Sequence, residues 1–164
     1  MSLIQEFDEI YDERFKDEHD EFPRLVHSQI TNNLWIGGTN EGFKFLNSSY
    51  EDYFDVVYNL YKPSDKPNHK NLCFEDSDIS EVDLVKLKEF VLDIFNNITS
   101  DKKVLVRCQV GLNRSALVCS LVLMKLGFDA RTAIKIIRSK RSNLVLYNKS
   151  YEDWLLQNGK RFVI

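Results

Sequence analysis

Residues 103–127, KVLVRCQVGLNRSALVCSLVLMKLG, constrain the fold more than any other stretch of the chain. Val104, Leu105 and Val106 form an unbroken aliphatic run, the pattern of a strand buried on both faces. The run from Ala116 to Leu126 is apolar on nearly every side, as in a central buried helix, and Gly127 predicts its C-terminal end. Only the short loop from Cys108 to Arg114 separates the two. A buried strand feeding at once into a buried helix is the unit of a parallel sheet covered by helices.

The rest of the chain extends that reading. Residues 30–38, ITNNLWIGG, predict a hairpin turning at Asn32-Asn33, and TNEGF after it a short helix. FDVVYNL (54–60) and NLCF (71–74) read as strands on either side of a loop rich in proline and polar residues. Leu84, Leu87, Val91 and Ile94 recur at helical steps, with Ser80 and Asp83 as the expected cap. Two further helices are expected at 130–138 and 150–158. The expected fold is α/β, a single domain with a central, mostly parallel sheet flanked by helices. Residues 1–22 carry nine Asp/Glu against Arg14 and Lys16, and Ile4, Phe7, Tyr11 and Phe15 share one helical face. They are expected to form an acidic helical extension packed on a domain spanning 23–164.

The loop at 108–114 is where chemistry is expected. A helix N-terminus offers unpaired N–H groups and a positive dipole end, which together hold an anion. Gly111 allows the loop to curl so that successive N–H groups, from Gln109, Val110, Gly111, Leu112, Asn113 and Arg114, converge as a nest. Such a nest stabilises a thiolate, the nucleophilic form of cysteine. Arg114 can grip two oxygens of a phosphoryl group in a planar fork. Nucleophilic attack on phosphorus then requires little beyond positioning and charge stabilisation.

Composition narrows the alternatives. A net charge of -3 provides no global basic field for nucleic acid. Three cysteines, Cys73, Cys108 and Cys119, make no disulfide framework and no metal-ligand spacing with His19, His27 or His69. No metal or other cofactor is therefore expected. The N-terminus lacks the pattern of a signal peptide, and no stretch approaches the roughly 18 apolar residues of a membrane span. A soluble protein of the cytoplasm or another intracellular compartment is expected, without a membrane partner.

The loop CQVGLNRS resembles the CxxGxxR[ST] signature of the protein tyrosine phosphatase superfamily, and specifically its dual-specificity branch. ITNNLWIGG, VVYNL, FED at 74–76, RSKRS at 138–142, Asn148 and Trp154-Leu155 are similar to further family segments, so the likeness spans roughly residues 28–157. The resemblance implies a phosphatase fold, Cys108 as nucleophile, Arg114 as phosphate ligand and Ser115 as hydroxyl partner of the sulfur. It also implies a general acid about 31 or 32 residues before the cysteine, a place that Asp76 fills, with Asp78 the alternative on the same loop. The family usually has His directly before the cysteine. This chain has Arg107, which keeps the charge but not the imidazole's geometry or acceptor nitrogen.

The implied activity is dephosphorylation of phosphotyrosine and phosphoserine/threonine in proteins through a phosphocysteine, in a shallow site. Arg138, Lys140 and Arg141 either flank that site and favour a second acidic group, or form a solvated helix face. Asn113 before Arg114 also resembles relatives that remove 5′-phosphates from RNA, a reading the acidic balance weighs against. A phospho-binding pseudophosphatase is the third reading, favoured by Arg107 and opposed by Cys108, Arg114 and the Asp candidates.

Overall fold

The computed structural model describes residues 23, 25–39 and 51–164. The acidic segment 1–22 and all but Thr39 of TNEGF lie outside them. Five strands form one sheet: β1 (His27–Gln29), β2 (Leu34–Gly37), β3 (Val56–Asn59), β4 (His69–Asn71) and β5 (Val104–Arg107). Their order is β1-β2-β5-β3-β4, with β1 antiparallel to β2 and every other pair parallel. The four described α-helices are α1 (Leu84–Thr99), α2 (Arg114–Lys125), α3 (Ala130–Lys140) and α4 (Lys149–Phe162). The fold is α/β with a mixed, mostly parallel sheet, as the sequence predicts. No helix among the described residues is long and apolar enough to cross a membrane.

The alternation of side chains along the strands decides what covers each face. Leu34 and Ile36 of β2, Val56 and Tyr58 of β3, and Val104 and Val106 of β5 join the main core with the apolar stripes of the helices. Trp35, Val57 and Leu105 point the other way, onto Phe54. There Trp35, Tyr53 and Phe54 meet edge to face, with ring centroids 5.2 to 5.7 Å apart. Helix α2 is buried along nearly its whole length, from Arg114 to Met124, and lies between the sheet and the other three helices. Its all-round apolar sequence follows from that position. Tyr58 ties β3 to α1, its hydroxyl donating to Asp93 and accepting from Asn97, both at 2.6 Å.

Several local expectations shift. The hairpin forms, but its first strand is His27–Gln29, so Ile30 and Thr31 belong to the turn with Asn32-Asn33. The strand expected at 71–74 is instead His69–Asn71. Its register against β3 is fixed by polar side chains, Asn59 Nδ2 bonding to His69 Nδ1 at 3.1 Å and to Asn71 Oδ1 at 3.0 Å. Ser80 does not cap α1. Asp83, directly before Leu84, does so by accepting from the Lys86 N–H at 3.1 Å, while Ser80 sits in a 3-10 turn capped by Asp78. Helices α3 and α4 also run past their expected ends, to Lys140 and Phe162.

Buried His27 starts β1, packing edge to face on Phe54 and against Gly37, where an added Cβ would lie 2.5 Å from its ring. Burial, reinforced by the nearby charges of Arg107 and Arg141, lowers its pKa from 6.5 to about 4. The folded state thus keeps His27 neutral where the unfolded chain would protonate it. Stability is intact above pH 6.5 and declines as pH falls toward 4, by up to about 3 kcal/mol. Urea midpoints should drop more steeply between pH 6.5 and 4.5 for wild type than for His27→Asn; parallel slopes would exclude His27 as the cause.

Candidate active site

The loop Cys108 to Arg114 leaves the C-terminal end of β5 and enters α2. Cys108 is 3% exposed, and its N–H donates to Gly37 O on β2 at 3.2 Å. Its sulfur lies 3.2 Å from Ser115 Oγ and accepts the Gly111 N–H at 3.3 Å. Gly111 has φ +81°, and a Cβ there would lie 2.6 Å from the Gly37 backbone and 2.8 Å from Arg141 Nη2. Both the dihedral and the close approach to β2 require glycine.

Arg141 sets the loop's shape. This residue ends α3, and its guanidinium is buried under the loop, not beside the site and not on a solvated face. Nε donates to Gly111 O at 2.7 Å and Nη2 to Val110 O at 2.8 Å. Nη1 reaches Ser28 Oγ at 2.8 Å and Leu25 O at 3.2 Å. The Val110 carbonyl and the Gly111 N–H belong to one trans peptide and point in opposite directions. Pulling the carbonyl down onto Arg141 therefore turns the N–H up toward the Cys108 sulfur. Burial lowers the Arg141 pKa to about 10, which still leaves it charged at neutral pH. Sequence reasoning missed this role because RSKRS looks like a solvated basic run; an arginine directly after an amphipathic helix was its only trace.

The neighbouring basic residues have other duties. Arg138 donates to Val145 O at 3.0 Å and pairs with Glu152, and Lys140 is exposed. Arg107, in the place of the usual His, turns toward β3, donating from Nε to Asn59 Oδ1 at 2.8 Å and pairing from Nη1 with Glu51 at 2.8 Å. It braces the strand ends beneath the loop. Arg114 opens α2, 7% exposed, with Nη1 donating to Phe74 O at 2.8 Å and the Tyr61 ring 5.3 Å from its guanidinium carbon. Its Nε–H is buried and has no partner among the described residues. The Asn113 side chain makes no cap bond at the start of α2. A buried unused donor beside an uncapped helix start is a place for an anion.

The two candidate acids separate clearly. Asp76 reaches the cysteine loop: its Oδ2 accepts from Asn113 Nδ2 and its Oδ1 from Asn148 Nδ2, both at 2.8 Å. Asp78 instead accepts from the Ser80 N–H at 2.9 Å and Ser150 Oγ at 3.2 Å, bonds that hold its carboxyl below the usual range. The segment after α3 also closes on the cysteine loop, Leu146 N–H donating to Leu112 O at 2.8 Å. Leu146 takes φ +61° to do so, strain that a buried leucine accepts only under surrounding constraint. Cys119, one turn beyond Ser115, is fully buried, and burial next to Cys108 pushes its thiol far up.

Comparison with known proteins agrees with this geometry. The family model described as dual specificity phosphatase, catalytic domain, matches residues 38–161. The chain belongs to that family, within the protein tyrosine phosphatase superfamily. It is 24% identical over 143 residues to protein 123R of Invertebrate iridescent virus 6, named for a tyrosine phosphatase, covering 82% of this chain and 98% of the viral one. It is 32% identical over 95 residues to the tyrosine-protein phosphatase CDC14 homolog of Schizosaccharomyces pombe, covering 57% of this chain but 17% of the yeast protein. Among solved structures it is similar to human DUSP28, with a TM-score of 0.68, 17% identity, and coverage of 84% and 94%.

The arrangement can place an oxyanion between the loop N–H groups and Arg114, with a sulfur beneath it and a carboxyl alongside. All of this depends on the buried guanidinium. Arg141→Met should cost on the order of 3 kcal/mol in urea unfolding, because buried carbonyls lose their donors. It should also weaken vanadate binding at least about tenfold, or 1.4 kcal/mol. Wild-type affinity in that variant would show that the loop keeps its shape without Arg141.

Proposed function

We propose that this chain is a cysteine-dependent phosphomonoester hydrolase that dephosphorylates phosphotyrosine and phosphoserine/threonine in proteins. The observation that carries the reading is the loop CQVGLNRS itself. Cys108 Sγ accepts the Gly111 N–H there, and the buried Nε–H of Arg114, at the end of the same loop, has no partner among the described residues.

In the first step the Cys108 thiolate attacks phosphorus in line, forming the S–P bond as the P–O ester bond breaks. Arg114 and the backbone N–H groups from Gln109 to Arg114 hold the three non-bridging oxygens. Asp76 gives its proton to the departing ester oxygen, releasing a neutral alcohol or phenol. In the second step the Asp76 carboxylate takes a proton from water, the oxygen of that water bonds to phosphorus, and the S–P bond breaks. Inorganic phosphate leaves, and the Ser115 hydroxyl, 3.2 Å away, donates to the thiolate as its charge returns. Asp76 is preferred to Asp78 because it bonds to the cysteine loop, whereas Asp78 caps a turn.

Purified protein should hydrolyse p-nitrophenyl phosphate, and Cys108→Ser should abolish turnover while retaining affinity for phosphate. Asp76→Ala should lower kcat about 100-fold or more for a phosphoserine peptide, with Asp78→Ala within a few-fold of wild type. Equal rates for Asp76→Ala and wild type would remove Asp76 from the role. Phosphate binding by intact protein without turnover would mean a pseudophosphatase, and strong preference for triphosphate-ended RNA over phosphopeptides an RNA 5′-phosphatase.

A further inference from the structure

Asn113 occupies the N-cap position of α2, yet its side chain does not cap the helix. An asparagine there ordinarily accepts an N–H of its own first turn, a bond worth roughly 1 kcal/mol. Here the amide, 3% exposed, is turned away from the helix. Its Nδ2 donates to Asp76 Oδ2 at 2.8 Å, and its Oδ1 accepts the Asn148 N–H at 2.9 Å. Asn148 in turn donates its own amide to Asp76 Oδ1 at 2.8 Å and to Ser77 O at 2.8 Å. The Asp76 carboxylate thus receives one amide N–H on each oxygen, one of them from the cysteine loop itself.

We propose that the Asn113 side chain is a positioning residue for the general acid, fixing Asp76 to the same loop that carries the nucleophile. The proposal rests on the phosphatase reading above. Asn113 stands one residue before Arg114 and five after Cys108, so its amide moves with the phosphate cradle. Because the far end of that amide is held by the Asn148 N–H, the group cannot rotate away without breaking a second bond. An amide neither gives nor takes a proton near neutral pH, so it orients the carboxyl without competing for the transferred proton. Each carboxyl oxygen keeps a second lone-pair site, which remains for that proton.

The consequence depends on the leaving group. p-Nitrophenolate is a stable anion and leaves with little help, whereas the alkoxide of serine or threonine must be protonated as it departs. A residue that only positions the acid therefore matters most for alkyl esters. It fits an enzyme that takes phosphoserine and phosphothreonine as well as phosphotyrosine.

The test compares kcat/KM of wild type and Asn113→Ala on p-nitrophenyl phosphate, phenyl phosphate and a phosphoserine peptide, with vanadate affinity measured in parallel. The expected loss is a few-fold for p-nitrophenyl phosphate and on the order of 100-fold for the phosphoserine peptide. Vanadate affinity should stay within a few-fold of wild type. An equal loss on all three esters, or a loss that follows vanadate affinity, overturns the proposal and leaves the phosphatase reading standing.

Asn113→Asp provides a second measurement at nearly constant volume. It keeps the acceptor for the Asn148 N–H but sets a carboxylate against Asp76. Two carboxylates at that distance cannot both ionise, so the basic limb of the kcat–pH profile should move up by about one unit or more. An unmoved limb overturns the proposal. Absence of Cys108-dependent turnover in wild type on every ester overturns it together with the phosphatase reading.

Discussion

A buried cation holds this site in shape. Arg141 brings a guanidinium beneath the cysteine loop, where losing water is costly unless its donors find acceptors. It finds them in the carbonyls of Val110 and Gly111 and in Ser28 and Leu25 at the start of the sheet. Because a peptide's carbonyl and N–H point oppositely, satisfying Arg141 from below orients donors above. The cation itself stays beneath the loop. It acts through the loop backbone, and Gly111 is the residue whose dihedral lets the chain meet both demands.

The neighbourhood of that cation explains two other residues. His27 stays neutral where two arginines and burial all oppose its charge. Arg107 stands where the family usually has histidine, yet it faces Asn59 and Glu51, so its charge is neutralised on the β3 side and not beneath the sulfur. The strand end is then braced laterally, through Arg107 to Asn59 and from Asn59 to His69 and Asn71 on β4. The C-terminal ends of β5, β3 and β4 are thereby cross-linked next to Cys108.

What could be read from the sequence and what could not divide along the range of the interaction. Strands β3 and β5, helix α2 and the loop between them were legible because burial pattern and loop chemistry are written in consecutive residues. Strand β4 was misplaced by two residues because polar contacts of Asn59 fix its register, leaving no apolar period to follow. The Ser80–Asp83 spacing fits a capping pattern, but the residue adjoining the first helical turn, Asp83, caps α1. Arg141 and the Asn113 amide were illegible for a different reason. Their partners lie 30 and 37 residues away, and nothing in RSKRS or GLNR says which side chain turns inward.

The loop that carries Asp76 shows how such distant partners make a site rigid. Residues 72–78 have no regular structure of their own, so their order must come from elsewhere. The start of α4 provides it: the Tyr151 hydroxyl donates to Glu75 O at 3.1 Å, Ser150 Oγ accepts the Ile79 N–H at 2.9 Å, and Asn148 holds Asp76 and Ser77 O. Asn148 also accepts the Tyr151 N–H at 3.3 Å, so one residue both begins the helix and grips the loop of Asp76. Helix α4 is anchored by Tyr151 and Leu155 in the main core, and that core also contains Cys108 and Leu112. Cys108 and the Asp76 carboxylate thus stand on different segments but refer to the same packed body. Their separation is set by polar side chains on segments anchored in that core, Asn113 on the cysteine loop and Asn148 at the start of α4, which is how a loop without regular structure can hold a carboxyl in place.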